Sequence, residues 1–157
     1  MWVGKFIKRK KMKAMKIVFI CTGNTCRSPM AEVIFKHLIQ KNHLQDISCT
    51  SAGISAKSGQ KASRNAIKVC KEWDLDLTKH TAKNIFDIQI EDYDRFVAMN
   101  ETHLEILKTL GVPGDKICVL GNSIADPFGE NLDAYRKCRN EITDSLKKLI
   151  LDIKNGS

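Results

Sequence analysis

Residues 16–29 impose the tightest constraint on the 157-residue chain. Lys16-Ile17-Val18-Phe19-Ile20 is short, β-branched and apolar after its lysine, the pattern of a strand buried on both faces. Ser28-Pro29 then opens a helix. Ser28 can cap it, and Pro29 suits the first helical position, where its missing N–H would be unpaired anyway. A single turn, Cys21-Thr22-Gly23-Asn24-Thr25-Cys26-Arg27-Ser28, joins the two. A doubly buried strand feeding a helix through one turn is the opening half of a β-α-β crossover, and it commits the chain to an α/β sheet.

The rest of the chain keeps that alternation. Met30, Val33, Ile34, Leu38 and Lys41 continue the first helix, and residues 47–51 form a second strand that ends at Ala52-Gly53. A second helix is expected over 60–73, with Ala62, Ala66, Ile67, Val69, Cys70 and Trp73 at core spacing, and a short helical turn at 84–88. Residues 95–99 make a third strand, and 101–110 a third helix stopped by Gly111 and Pro113. A fourth strand at 116–120, a loop at 122–129 and a long helix at 132–153 complete the pattern. It predicts one three-layer α/β domain over residues 15–154, built on a four-stranded parallel sheet.

Charge separates this domain from what precedes it. The chain carries 26 Lys+Arg against 18 Asp+Glu, a net of +8. Seven of the bases (Lys5, Lys8, Arg9, Lys10, Lys11, Lys13 and Lys16) fall in the first 16 residues, which hold no acid. The remainder therefore has 19 bases and 18 acids and is nearly neutral. Residues 1–14 are expected to be a disordered basic extension, with nucleic-acid binding by that tail as a minor alternative. No run approaches the roughly 18 apolar residues of a membrane span. A secretory signal fits poorly, because the run at 17–20 is shorter than the roughly 7–15 residues an h-region needs. The expected location is cytoplasmic, with all six cysteines (21, 26, 49, 70, 118 and 138) as thiols. No zinc-type spacing appears, and neither metal nor cofactor is expected.

In an open α/β sheet, ligands bind at the carboxyl ends of the strands. The turn there reads Cys-x5-Arg, long enough to wrap its N–H groups round a tetrahedral oxyanion above a helix N-terminus. Thr22, Gly23, Asn24, Thr25, Cys26, Arg27 and Ser28 are the expected phosphate-binding residues, with Gly23 and Asn24 tolerant of positive φ. Arg27 offers a planar fork for two phosphate oxygens. Such a cradle favours the thiolate of Cys21, with Ser28 as a hydrogen-bond partner, and prepares it for in-line attack on phosphorus. The leaving group then needs an acid. Asp126, in Asp126-Pro127-Phe128 after the fourth strand, lies at the same sheet edge.

These residues resemble the low-molecular-weight protein tyrosine phosphatases, in the run Cys-Thr-Gly-Asn-Thr-Cys-Arg-Ser-Pro and the distant Asp-Pro-Phe. The resemblance runs from about residue 15 to 151, and Ser51-Ala52-Gly53 and His80-Thr81-Ala82-Lys83 match further family segments. It implies a flavodoxin-like sheet of order 2-1-3-4. It also implies Cys21 as nucleophile, Arg27 as phosphate clamp, Asp126 as acid and then base, and Ser51 and His80 hydrogen-bonded to Asn24. Substrates would be phosphorylated proteins and the product inorganic phosphate, with the enzyme a monomer.

Within that family, Thr25 and the Asp126-Pro127-Phe128-Gly129 loop resemble the protein arginine phosphatase branch. Tyrosine-specific members usually carry a bulkier residue at the first position and a second aromatic at the loop. Thr25 and Phe128 are thus the expected specificity residues, and tyrosine specificity is the alternative. Cys26 could close a protective disulfide with Cys21, or simply pack beneath the loop. Two rivals are weaker. A thioredoxin-coupled arsenate reductase needs a further close cysteine pair, which is absent, and an FMN-binding module would need neither Cys21 nor Arg27.

Overall fold

The computed structural model describes residues 14–156. The basic extension falls almost wholly outside the described residues. In chain order the elements are β1 (Met15–Cys21), α1 (Arg27–Lys41), β2 (Ile47–Gly53), α2 (Arg64–Lys71), β3 (Arg95–Ala98), α3 (Glu101–Thr109), β4 (Ile117–Val119) and α4 (Leu132–Lys154). Single 3-10 turns lie at Ile85–Asp87, Ile90–Asp92 and Gly114–Lys116. The four strands are parallel, in the order β2-β1-β3-β4.

The uninterrupted apolar run of β1 follows from its central place. Successive side chains point to opposite faces. Ile17 and Phe19 therefore join the core under α1, α2 and α4, while Val18 and Ile20 join a second core under α3 with Phe96, Ala98 and Leu107. Phe19 meets Phe35 of α1 edge-on at 5.4 Å between ring centroids.

Register brings the strand ends together. Cys21 pairs with Gly53, and Ile20 with both Ala52 and Ala98. The chain leaves β1 for α1 on one face and β3 for α3 on the other, which opens a crevice between these two strands. The segment after β4 is tied into it, with Leu120 N donating to Ala98 O (2.8 Å) and Ile124 N to Met99 O (2.7 Å). This brings Asp126 to the crevice.

Three local expectations differ from the structure. Helix α2 is shorter than 60–73, because Ser63 caps it by accepting from Ala66 N, and residues 59–61 pair instead with 81–82. Trp73 lies beyond the helix and is exposed; its ring stacks under the Arg139 guanidinium at 3.9 Å. Ser28 does not cap α1 but lies inside it, and the cap residue Cys26 makes no side-chain cap bond.

Candidate active site

The turn after β1 wraps the mouth of a cavity of about 270 Å³, lined by Cys21, Thr22, Gly23, Thr25, Cys26, Arg27, Gln60, Asp126 and Phe128. Asn24 and Ser28, both fully buried, stand behind that lining. Asn24 takes the left-handed conformation (φ 55°), whereas Gly23 does not adopt a positive φ. Asn24 is held there from three sides. Its Nδ2 donates to Ser28 Oγ (2.8 Å), its Oδ1 accepts from Lys83 N (2.9 Å), and its carbonyl lies 2.7 Å from His80 Nε2. Burial lowers the pKa of His80, so the neutral ring presents Nε2–H to that carbonyl.

Gly53 closes the turn from below. A Cβ at this position would come 2.6 Å from Thr22 O, so only glycine lets β2 approach so closely. Ser51 has a different partner from the one the family resemblance implies. Its hydroxyl donates to Glu32 Oε1 on α1 at 2.7 Å, so it ties the sheet to the helix and leaves Asn24 to His80 and Lys83.

Cys21, only 3% exposed, ends β1 with Sγ 2.8 Å from Ser28 Oγ. Ser28 Oγ already accepts from Asn24, so its own proton is free to point at the sulfur. Burial pushes the Cys21 thiol up, and this outweighs the opposing pull of Ser28, Arg27 and Asn24. The expected lowering counted the donors alone and left out the desolvation that comes with such burial.

Arg27 opens α1 beneath the cavity, 3% exposed. Its Nη1 donates to Ile124 O (3.1 Å), and its Nη2 lies 3.4 Å from Asp126 Oδ2. The clamp and the acid expected from sequence are thus in one ion pair. Asp126 also accepts from Phe128 N (3.1 Å), a turn that leaves the Phe128 ring 72% exposed at the mouth. The Cys26 thiol faces Ser63 Oγ and Tyr135 Oη, each at 3.3 Å, and all six cysteines are free. Burial and Cys26 push the Tyr135 phenol up to about 12, which keeps it protonated.

His103 was not anticipated. It stands in the first turn of α3, 3% exposed, with Nε2 2.9 Å from Thr22 Oγ1 and Nδ1 unpartnered among the described residues. The hint was available, since a histidine just past the third strand falls at the ligand-binding edge of the sheet. Burial first, then the Arg27 cation, lowers its pKa to about 4, while Asp126 opposes them. Between that value and the ordinary one near 6.5, the unfolded chain binds a proton that the folded chain refuses. Neutral His103 therefore stabilises the fold fully above about pH 6.5, and this contribution is lost as pH falls towards 4. His103→Gln keeps a partner for Thr22 and cannot titrate. Urea unfolding at pH 4.5 and pH 7 should show the wild type losing roughly 2 kcal/mol more than the variant between these values. Equal losses would assign the acid sensitivity to other groups.

Comparison with known proteins places this geometry. A family model described as low molecular weight phosphotyrosine protein phosphatase matches residues 16–156. A protein-arginine-phosphatase of Bacillus subtilis (strain 168) is 33% identical over 148 residues, 89% of this chain and 97% of its own length. The low molecular weight protein-tyrosine-phosphatase PtpB of Staphylococcus epidermidis is 30% identical over 141 residues, 86% of this chain and 96% of its own. Among solved structures, a Cys-to-Ser mutant of YwlE arginine phosphatase with a phosphorylated active-site serine superimposes with a TM-score of 0.83. It is 32% identical and covers 89% of this chain and 96% of its own. With matches across nearly the whole described fold, this chain belongs to the low molecular weight phosphotyrosine protein phosphatase family.

Proposed function

We propose that this member of the family hydrolyses phosphorylated arginine side chains of proteins through a phosphocysteine intermediate. Cys21 first gives its thiol proton to solvent, and the thiolate, facing the Ser28 hydroxyl, then attacks phosphorus while the bond from phosphorus to the leaving guanidine nitrogen breaks. Arg27 and the amides of the turn hold the phosphoryl oxygens, whose charge is greatest in the transition state. Asp126 gives its proton to the departing nitrogen. As a carboxylate, it then takes a proton from the water that attacks phosphocysteine, which releases inorganic phosphate and restores the Cys21 thiolate. Asn24, Ser28 and His80 support the turn. The chemistry calls for neither metal nor cofactor, and no helix among the described residues is long and apolar enough to cross a membrane.

The preference for arginine rests above all on the cavity wall. Phe128 is the sole aromatic among the lining residues, it is 72% exposed, and Thr25 stands inside with a small hydroxyl side chain. A phenyl ring gains from flat apolar walls that stack on it. One exposed ring and a threonine offer little of that, while the Asp126 carboxylate beside them suits a guanidinium. The Bacillus subtilis relative supports this reading. The family description and the 30% identity to PtpB favour phosphotyrosine as the second reading.

Turnover of matched phosphopeptides separates the two. The wild type should show kcat/KM roughly tenfold or more higher on phosphoarginine than on phosphotyrosine, and Thr25→Ile should move that ratio towards phosphotyrosine. A wild-type preference for phosphotyrosine would overturn the arginine assignment and leave the phosphatase chemistry intact.

A further inference from the structure

Gln60 reaches the cavity wall from the segment between β2 and α2. Its backbone is held on both sides: Gln60 N donates to Lys57 O (3.2 Å), and Gln60 O accepts from Ala82 N (2.7 Å). Next to it, Gly59 N donates to Ala82 O (2.9 Å), and Lys61 bridges to Thr81. The carboxamide itself is exposed and has no hydrogen-bond partner among the described residues. A fixed backbone thus sets Gln60, exposed and with its carboxamide unpartnered among the described residues, in the lining of the cavity that holds Cys21 and Arg27.

A bound phosphoarginine gives such an amide something to do. With its phosphoryl group over buried Cys21 and Arg27, the guanidinium would lie towards the solvent side of the lining, to which the exposed residues Asp126, Phe128 and Gln60 belong. A guanidinium carries N–H donors in its plane that lose water on entry and need acceptors. Asp126 can supply one while ionised. In the attacking complex, however, it carries the proton for the leaving nitrogen, and its acceptor capacity falls. The Gln60 carboxamide oxygen does not titrate and remains an acceptor throughout. A phenyl ring has no in-plane N–H to offer it.

We infer that Gln60 is a specificity-determining residue whose carboxamide oxygen accepts a hydrogen bond from the guanidinium of phosphoarginine. The inference rests on the arginine reading above and adds to it the group that recognises the part of the substrate beyond phosphorus. The readout is the ratio of kcat/KM on a phosphoarginine peptide to that on p-nitrophenyl phosphate. This ratio does not depend on the fraction of enzyme that is active, so partial misfolding of a variant cannot mimic the effect. Gln60→Leu, which removes the acceptor, should lower the ratio about tenfold. Gln60→Glu, which keeps an acceptor oxygen, should hold the ratio at or above the wild-type value. A ratio within about twofold of wild type in Gln60→Leu, or an equal fall in both variants, would overturn the role of Gln60. Wild-type preference for phosphotyrosine over phosphoarginine peptides would overturn the arginine reading and this inference with it, so the two failures are distinguishable.

Discussion

Cys21→Ser should lose turnover by at least about 10⁴-fold and still bind phosphate or vanadate. Everything that would hold the oxyanion survives the substitution. Arg27 keeps its bond to Ile124 O, Asn24 keeps its three partners, and the serine hydroxyl can take the place of Sγ beside Ser28 Oγ. What is lost is the nucleophile, since an alcohol ionises far less readily than a thiol, in a site where burial already disfavours the anion. The substitution also makes the intermediate harder to release, because a serine alkoxide leaves phosphorus far less readily than a thiolate. Slow accumulation of one phosphoryl group on residue 21, followed by mass spectrometry of the intact protein, is therefore the expected trace of residual chemistry. The YwlE mutant with a phosphorylated active-site serine is the corresponding state of a related protein. Turnover within tenfold of wild type in Cys21→Ser would eliminate the covalent route.

How much of this site was legible in the chain depends on how far apart its members lie in sequence. The turn from Cys21 to Ser28 could be read because its meaning is local: a doubly buried strand, an anion-sized loop and a helix start occupy consecutive residues. The sheet could be read because β1 is apolar on both faces, which only a central strand requires. The supports were a different matter. Thr22 meets His103 across 81 positions and Cys26 meets Tyr135 across 109, and no periodicity within either segment encodes the partner in the other. Ser51 shows the same limit. The strand pattern places it on β2, but the alternation that buries it turns its hydroxyl towards Glu32 on α1. Trp73 looked like core because helical spacing was extended past the true end of α2, where the chain had already turned outwards. Gln60 carries no signal in the sequence, because the helical spacing over 60–73 covers it, whereas α2 starts at Arg64. Charge is misleading at the scale of the whole chain, since the positive side chain in the cavity lining is Arg27, which is buried.

Asp126→Ala should divide substrates by their leaving groups. A guanidine nitrogen or an unactivated phenol departs poorly without a proton, so loss of the acid should cost about 10²–10³-fold in kcat on phosphoarginine or phosphotyrosine peptides. p-Nitrophenolate is stable as it leaves, and its release should slow by less than about tenfold. The variant should fold, because what it removes from the protein is small. The Arg27–Asp126 pair is 3.4 Å long and the Asp126 side chain is 50% exposed, so solvent screens most of the attraction. Arg27 retains its bond to the Ile124 carbonyl. The contrast between substrates is what identifies an acid. A residue that merely held Arg27 in place would weaken phosphate binding, and so would slow activated and unactivated substrates alike. Equal losses on p-nitrophenyl phosphate and on the peptides would therefore remove Asp126 from proton transfer and leave it a partner of the clamp. The sharper the contrast, the more of the barrier to releasing the leaving group is carried by one half-exposed carboxyl group, brought to the carboxyl edge of the sheet by the segment that hydrogen-bonds to Ala98 and Met99.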